Sequence, residues 1–413
     1  MGASVNMDSV PEVLKYIWDD EVTDYQYEDE PYYAMVEKDT SWEGLYTIVT
    51  VKTAHAGGRS AKFGKAKANK KAASFHKMQI ETSDNFALWS VDNKLITLTR
   101  SQRGSLVRAL TDATSDAQSR FKHSTAWMLW RNGGGSIGKI ASAGISGATC
   151  TLDNPDDIRN FEEGDTIEFA DDDGVAAGGV YSGTLVVSSI DEDNGILTFD
   201  DNLSAITGLA AGDFLFQEGD YNAALYGVPA YVTLDDPGSS GVPTSVWGMS
   251  RSTFMTRLAG HRFTGATLQV QEEIKKALTT AFRRRCRVTH LFMAPEVFND
   301  LEMSLEGNRR YADEKIGRVG FTGIEFTSQS GKTVKCFPEP NIPLGLNGGR
   351  LVFGLALDTF KLHTAEEWPM WLTSDGEKKF LTEENANARE GRIGGYGQHY
   401  TRSPGDNFVL ELT

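Results

Sequence analysis

Cysteine is scarce in this chain of 413 residues: Cys150, Cys286 and Cys336 lie far apart, with no CxxC and no Cys/His ligand spacing. A disulfide framework and a zinc site are therefore not expected, and a reducing compartment fits. Long apolar runs are missing too; none approaches the ~20 residues that a membrane span requires. The first residues, MGASVNMDSVPEVL, lack a basic stretch followed by an apolar one, so no signal peptide is expected. Asn6 stands where the myristoylation pattern wants Ser or Thr. The seven histidines (His55, His76, His123, His261, His290, His363 and His399) show no HExxH or paired-ligand spacing, and no GxSxG elbow precedes a helix. No catalytic, cofactor or metal residue is assigned. Most telling is a local absence: not one acidic residue occurs from Lys52 to Lys77.

That stretch carries Arg59, Lys62, Lys65, Lys67, Lys70 and Lys71, punctuated by Gly57, Gly58 and Gly64. Leu45, Thr47, Val49 and Val51 before it, and Phe75, Met78 and Ile80 after it, have the alternation of strands. Two strands alone are marginal in water, and the tip has too little apolar surface for a core. The stretch reads as an arm that needs another surface to lie on, which points to assembly. The formal net charge of −16 is unevenly spread. Asp19, Asp20, Glu21, Asp24, Glu28, Asp29 and Glu30 crowd one segment among tyrosines, and residues 137–220 are acidic against only Lys139 and Arg159. Each acidic run reads either as a solvated face or, for the first segment, as a contact for the basic arm of a neighbouring subunit. Opposite charges at such contacts fix register more than they add affinity.

The length allows two or three domains. A short helix is expected at Val10 to Trp18, then an extended tail, then the hairpin arm. A long helix follows from Ser101 to about Arg131, its apolar residues (Leu106, Leu110, Ala113, Ala117, Phe121, Trp127, Met128) mostly three and four apart; Asn132 to Gly135 ends it. Residues 137–220 then change character, with strands predicted at Thr149–Leu152, Thr166–Phe169, Thr184–Ile190, Ile196–Phe199 and Asp213–Phe216. Asn194-Gly195 is a strong hairpin signal. This reads as a small inserted β-barrel or β-sandwich whose ends lie close together. Beyond it, Leu225 to Leu234 reads as strand. Gly265 to Arg287 reads as an amphipathic helix with Leu268, Ile274, Ala277, Leu278, Ala281 and Phe282 inward. Val288 to Met293 reads as strand, and Pro295 opens a further helix. The last third is strand-rich, with hairpin turns at Ser330-Gly331 and Asn347-Gly348-Gly349.

Motif-like fragments carry little chemistry. Ser330-Gly331-Lys332-Thr333 resembles the end of a phosphate loop, but Phe326 stands where glycine is needed and both flanks read as strands. Gly133 to Gly138 matches GxGxxG but follows a helix, so it reads as a linker. The aspartates at 171–173 and 191–193 miss the calcium-loop register. Arg283, Arg284, Arg285 and Arg287 read as cations at a helix C-terminus or as nucleic-acid contacts.

The order of elements resembles the major capsid proteins of tailed double-stranded DNA bacteriophages, the Hong Kong 97-type fold. The segment VTHLFMAPEVFNDLEMSLEGNRRY, Val288 to Tyr311, is similar to that family's apical strand, Met-x-Pro turn and helix, and Pro340 to Leu362 is similar to its closing strands. The resemblance covers the chain apart from residues 137–220. It implies an α+β fold: an acidic N-terminal arm (1–43), an extended loop (44–80), peripheral-domain strands and spine helix (81–136), an inserted all-β domain (137–220), a return to the platform (221–250), an axial-type α/β domain (251–360) and closing strands (361–413). It also implies a structural, non-enzymatic role, with hexamers and pentamers tiling an icosahedral head around packaged double-stranded DNA. Expected partners are further copies of itself, a scaffolding protein, a portal and decoration proteins, with no membrane. Assembly would take place in the host cytoplasm and the product would be the virion capsid.

Inter-subunit contacts are then expected from Arg59, Lys62, Lys65, Lys67, Lys70 and Lys71, with Glu28, Asp29 and Glu30 as acidic counterparts. The acidity of the inserted module argues against a DNA-facing position; it would project outward or bridge capsomers. Two alternatives stand beside this reading: an encapsulin-like compartment shell, or a surface-binding protein using the inserted β domain.

Overall fold

The computed structural model describes residues 30–98, 109–175, 178–239, 242–265, 269–306, 324–327, 333–345, 349–372, 380–382 and 387–412. They form two compact units. The smaller holds the described residues within 87–120 and 371–393. Its described core is aromatic: Trp89 lies edge-on to Trp371 with centroids 5.5 Å apart, and Trp371 to Phe380 at 5.7 Å. Strand Phe380–Thr382 pairs antiparallel with Arg389 to Gly391. Gly391 must be glycine, because a Cβ there would come within 2.3 Å of the Trp89 ring.

The larger unit is built on a six-stranded sheet in the order His261–Gly265, Phe408–Leu412, Arg350–Leu355, His290–Met293, Thr333–Pro338, Ile324–Thr327. Side chains alternate across each strand, and the two faces do different work. Leu291, Met293, Val352, Phe408 and Leu410 meet Ile274, Ala277, Leu278 and Ala281 of helix Val270–Arg283 and Val297 and Leu301 of helix Pro295–Glu306. On strand His290–Met293, Phe292 points the other way, onto Trp130 (5.7 Å) and Tyr32 (5.2 Å). Trp130 also packs on Phe353 at 5.3 Å. A second sheet carries Glu37–Asp39 parallel to Phe360–Thr364, which pairs antiparallel with residues 397–401.

Residues 136–217 hold a closed six-stranded barrel, in the order Phe214–Gln217, Ser136–Ser146, Thr149–Leu152, Ile196–Phe199, Leu185–Asp191, Thr166–Ala170. Ile140, Cys150, Ile167, Phe169, Leu197 and Leu215 fill it and are fully buried. Gly195 takes a φ of +63° in its hairpin turn. The barrel is tied to the rest of its unit by an Arg131–Asp157 ion pair of 2.8 Å and an Asn132–Asp173 hydrogen bond of 2.5 Å. The Arg159 guanidinium also donates to the Pro340 carbonyl. Its entry and exit are adjacent: Ser136 pairs with Phe216, and a Cβ on Gly135 would meet the Asp220 carbonyl oxygen at 2.1 Å.

Several expectations need correction. The described helix is Ala109–Met128, about 30 Å long at 1.5 Å per residue; residues 101–108 lie outside the described part. Leu225 to Leu234 contains no strand. It is a buried turn with one helical turn, Val228–Tyr231, opened by Gly227 and Pro229. Phe282 does not point inward but is 45% exposed at the helix end. No hairpin joins the strands flanking Asn347, since His290–Met293 lies between Thr333–Pro338 and Arg350–Leu355. Strands Ile324–Thr327 and Thr333–Pro338 do pair antiparallel, with Ile324 opposite Cys336 and Thr327 opposite Thr333. The helix expected at Val10 to Trp18, Leu268, and the turn residues 330–331 and 347–348 fall outside the described residues.

Candidate assembly surface

The arm is an antiparallel pair, Thr47–Ala54 with Ser74–Ile80, in the register Thr47↔Ile80, Val49↔Met78, Val51↔His76. Those residues form its inner face, and Met78 and Ile80 are fully buried. This face rests on the segment around residues 247–257. The Gln79 N–H donates to the Trp247 carbonyl at 3.4 Å, the His76 ring lies 4.8 Å from Phe254, and Arg257 Nη1 donates to the Lys52 carbonyl at 3.1 Å. On the outer face Ile48, Thr50 and Lys52 run beside Gln79, Lys77 and Phe75, and all six are exposed.

Past the strands the chain forms a helical turn not foreseen from sequence, Phe63–Ala68. The Gly57 N–H closes the tip onto the Lys71 carbonyl at 2.9 Å. Gly58 allows a close backbone approach, since a Cβ there would fall 2.3 Å from the Ala66 carbonyl oxygen. The tip carries Arg59, Lys62, Lys65, Lys67, Lys70 and Lys71, all exposed, and among the described residues none takes an ion-pair partner. Leu45 is 73% and Phe63 84% exposed. Cations interleaved with unpartnered apolar side chains on an extended arm are what an inter-subunit contact requires, and nothing in the chain's own described residues covers them.

The acidic counterparts separate. Glu28 and Asp29 lie outside the described residues. Glu30 is turned into its own subunit: its carboxylate accepts from Asn341 Nδ2 and lies 3.6 Å from His123 Nδ1. Here the chain enters a buried polar cluster that sequence reasoning missed. The Tyr32 N–H donates to Glu339 Oε2 at 3.0 Å, and Glu339 is fully buried. Burial, then the nearby Glu30 charge, pushes the Glu339 carboxyl up to about 8. His399 is also fully buried, which pulls it down to about 4. Its Nδ1 lies 2.8 Å from the Tyr226 carbonyl, which can only accept, so Nδ1 carries the proton and Nε2 accepts from the Tyr32 hydroxyl at 2.8 Å. The cluster is an anchor that pins the start of the described chain against both sheets. The only local hint was Glu339 between Pro338 and Pro340 at the end of a strand.

Of the arginines at 283–287, Arg284 lies over the Phe263 ring at 5.2 Å and Arg287 lies 3.8 Å from Asp406. No group of three or more potential metal ligands occurs among the described residues, and no described helix is long and apolar enough to cross a membrane.

No protein-family model matches the chain, and no curated protein matches it by sequence. Solved structures do. The capsid asymmetric unit of cyanophage A-1(L) superposes with a TM-score of 0.58 at 10% identity, covering 98% of this chain and 99% of that one. The capsid of an empty GTA particle gives a TM-score of 0.53 at 8% identity over 100% and 99% of the two chains. The native GTA capsid gives 0.50 at 9% identity, over 100% and 99%. The fold is that of tailed-phage capsid proteins. The structural match extends over nearly the whole chain.

Proposed function

We propose that this chain is a structural capsid protein whose copies assemble, as hexamers and pentamers, into an icosahedral shell around double-stranded DNA. The observation that carries the reading is the arm: exposed cations and apolar side chains on an extended hairpin, without a partner among the described residues of their own subunit, on a tailed-phage capsid fold. Each arm would lie over a neighbouring subunit, with Arg59, Lys62, Lys65, Lys67, Lys70 and Lys71 meeting acidic side chains, Glu28 and Asp29 among them. The Glu30 carboxylate, held by Asn341, would fix the base of that acidic segment rather than meet the arm. The acidic barrel would face away from the packaged DNA. A scaffolding protein, a portal and decoration proteins would complete the particle in the host cytoplasm, and the role is structural rather than catalytic.

Replacing Lys65, Lys67, Lys70 and Lys71 together by alanine tests this. The four are exposed, so the melting temperature of the unassembled chain stays within the range of surface substitutions, about 0.5 kcal/mol. Light scattering then shows assembly lost or strongly weakened, and wild-type assembly weakens as salt rises. Unchanged assembly of the variant would overturn the role of the arm. A wild-type chain that stays monomeric alone and when co-expressed with its neighbouring genes would overturn the capsid reading.

A further inference from the structure

Arg251 is 1% exposed, and its Nε and Nη1 atoms are buried without a hydrogen-bond partner. Its backbone N–H is satisfied by the Thr244 carbonyl at 2.8 Å, so the side chain alone is left open. The charged guanidinium lies near Tyr231 and Tyr226, and burial lowers it to about 10. No carboxylate pairs with it among the described residues. By contrast, buried Arg131 takes Asp157 at 2.8 Å, and Arg262 takes Asp236 at 2.8 Å. A desolvated cation with unmade hydrogen bonds is costly, and such charges are ordinarily paired. The fold therefore holds a donor-only socket whose planar fork suits a carboxylate bidentately.

The position of the socket narrows the occupant. Arg251 directly follows the small ribbon Ser245–Val246 and Met249–Ser250, and Trp247 in that ribbon accepts the Gln79 N–H of the arm. Phe254 and Arg257, a few residues on, hold His76 and the Lys52 carbonyl. The socket thus belongs to the segment on which the root of the arm rests. The ribbon has only two residue pairs, Ser245↔Ser250 and Val246↔Met249, so few backbone hydrogen bonds hold the chain beside Arg251. Each copy of the chain brings 57 acidic residues against 41 basic ones.

We propose that Arg251 is an inter-subunit receptor that binds an aspartate or glutamate side chain of a second copy of this chain. This rests on the self-assembly reading. Assembly fills the socket and couples docking of a neighbour to the seat of the arm. A phosphate, free or in DNA, has related acceptor chemistry and is the alternative occupant.

The test is Arg251→Met, which keeps volume and removes the charge, alongside Arg251→Lys, which keeps the charge without the fork. An unpaired buried cation contributes no stability to the isolated subunit, so R251M is expected to melt at or above the wild-type temperature while unassembled. Its concentration threshold for assembly rises on the order of a hundred-fold, and R251K falls between. A marked loss of melting temperature in unassembled R251M, or assembly at the wild-type threshold, would overturn the proposal while leaving the capsid reading intact. Failure of the wild type to assemble would overturn both. An electron cryomicroscopy map of the wild-type assembly is the second, independent test. A neighbouring copy's carboxylate within about 4 Å of the guanidinium supports the proposal; a phosphate there, or an empty socket, refutes it.

Discussion

Replacing Glu339 by glutamine is expected to stabilise the chain above neutral pH and to leave it nearly unchanged near pH 4. Glu339 has no exposed surface, and burial with the adjacent Glu30 charge raises its carboxyl from 4.5 to about 8. In the folded chain it stays neutral through pH 7, whereas in the unfolded chain it ionises above its ordinary value. A raised carboxyl therefore gives stability that is complete below pH 4.5 and drains away as the pH rises toward 8. Each tenfold in ionisation corresponds to about 1.4 kcal/mol, so the loss amounts to on the order of 4 kcal/mol by pH 8. The glutamine keeps the shape and an acceptor for the Tyr32 N–H, and cannot ionise. His399 gives the opposite slope: lowered by burial to about 4, it contributes stability that is present above pH 6.5 and lost as the pH falls through 4. The two groups together place the stability maximum between about pH 4.5 and 6.5. Urea unfolding of the unassembled chain from pH 4 to pH 9 measures both limbs. If E339Q were less stable than wild type at pH 8, Glu339 would be an ionised, paired carboxylate and the reasoning would be wrong.

Three further outcomes follow from the same contacts. Tyr32→Phe keeps the packing on Trp130 and Phe292 but strands His399 Nε2, a loss of about 1–2 kcal/mol in urea unfolding. Arg131→Met removes the ion-pair partner of Asp157 and leaves it only the nearby Arg159 charge and Asn154, costing about 3 kcal/mol, and limited proteolysis should then cut between the barrel and its unit before anywhere else. Gly395→Ala would place a Cβ within 2.2 Å of the Trp368 ring, so it destabilises strongly, and a variant that melts like wild type would contradict the packing described.

What could be read from the sequence was local. The period of two in Val49, Val51, Met78 and Ile80 located the arm strands, Pro295 located its helix, and five of the six barrel strands fall within one or two residues of the turn-bounded runs. The sixth, Ser136–Ser146, was hidden because small residues and glycines give it no alternation. The helical turn Phe63–Ala68 was hidden because Gly64 disfavours helix and six residues are too few to show a helical period. Leu225 to Leu234 misled because an apolar run buried on all sides has no period to separate strand from turn. Phe282 keeps helical spacing, but at the last turn its neighbours have ended. The Tyr32–Glu339–His399 cluster joins residues more than 300 positions apart and leaves no local signal. Arg251 was invisible for the same reason: an unpaired charge is recognisable only once its surroundings are known.

The central claim is that this chain builds a shell. Negative-stain electron microscopy with light scattering on the purified full chain, alone and co-expressed with its neighbouring genes, addresses it directly. The account predicts closed shells, or rings of five or six subunits and tubes. A monodisperse monomer at high concentration under both conditions would contradict it.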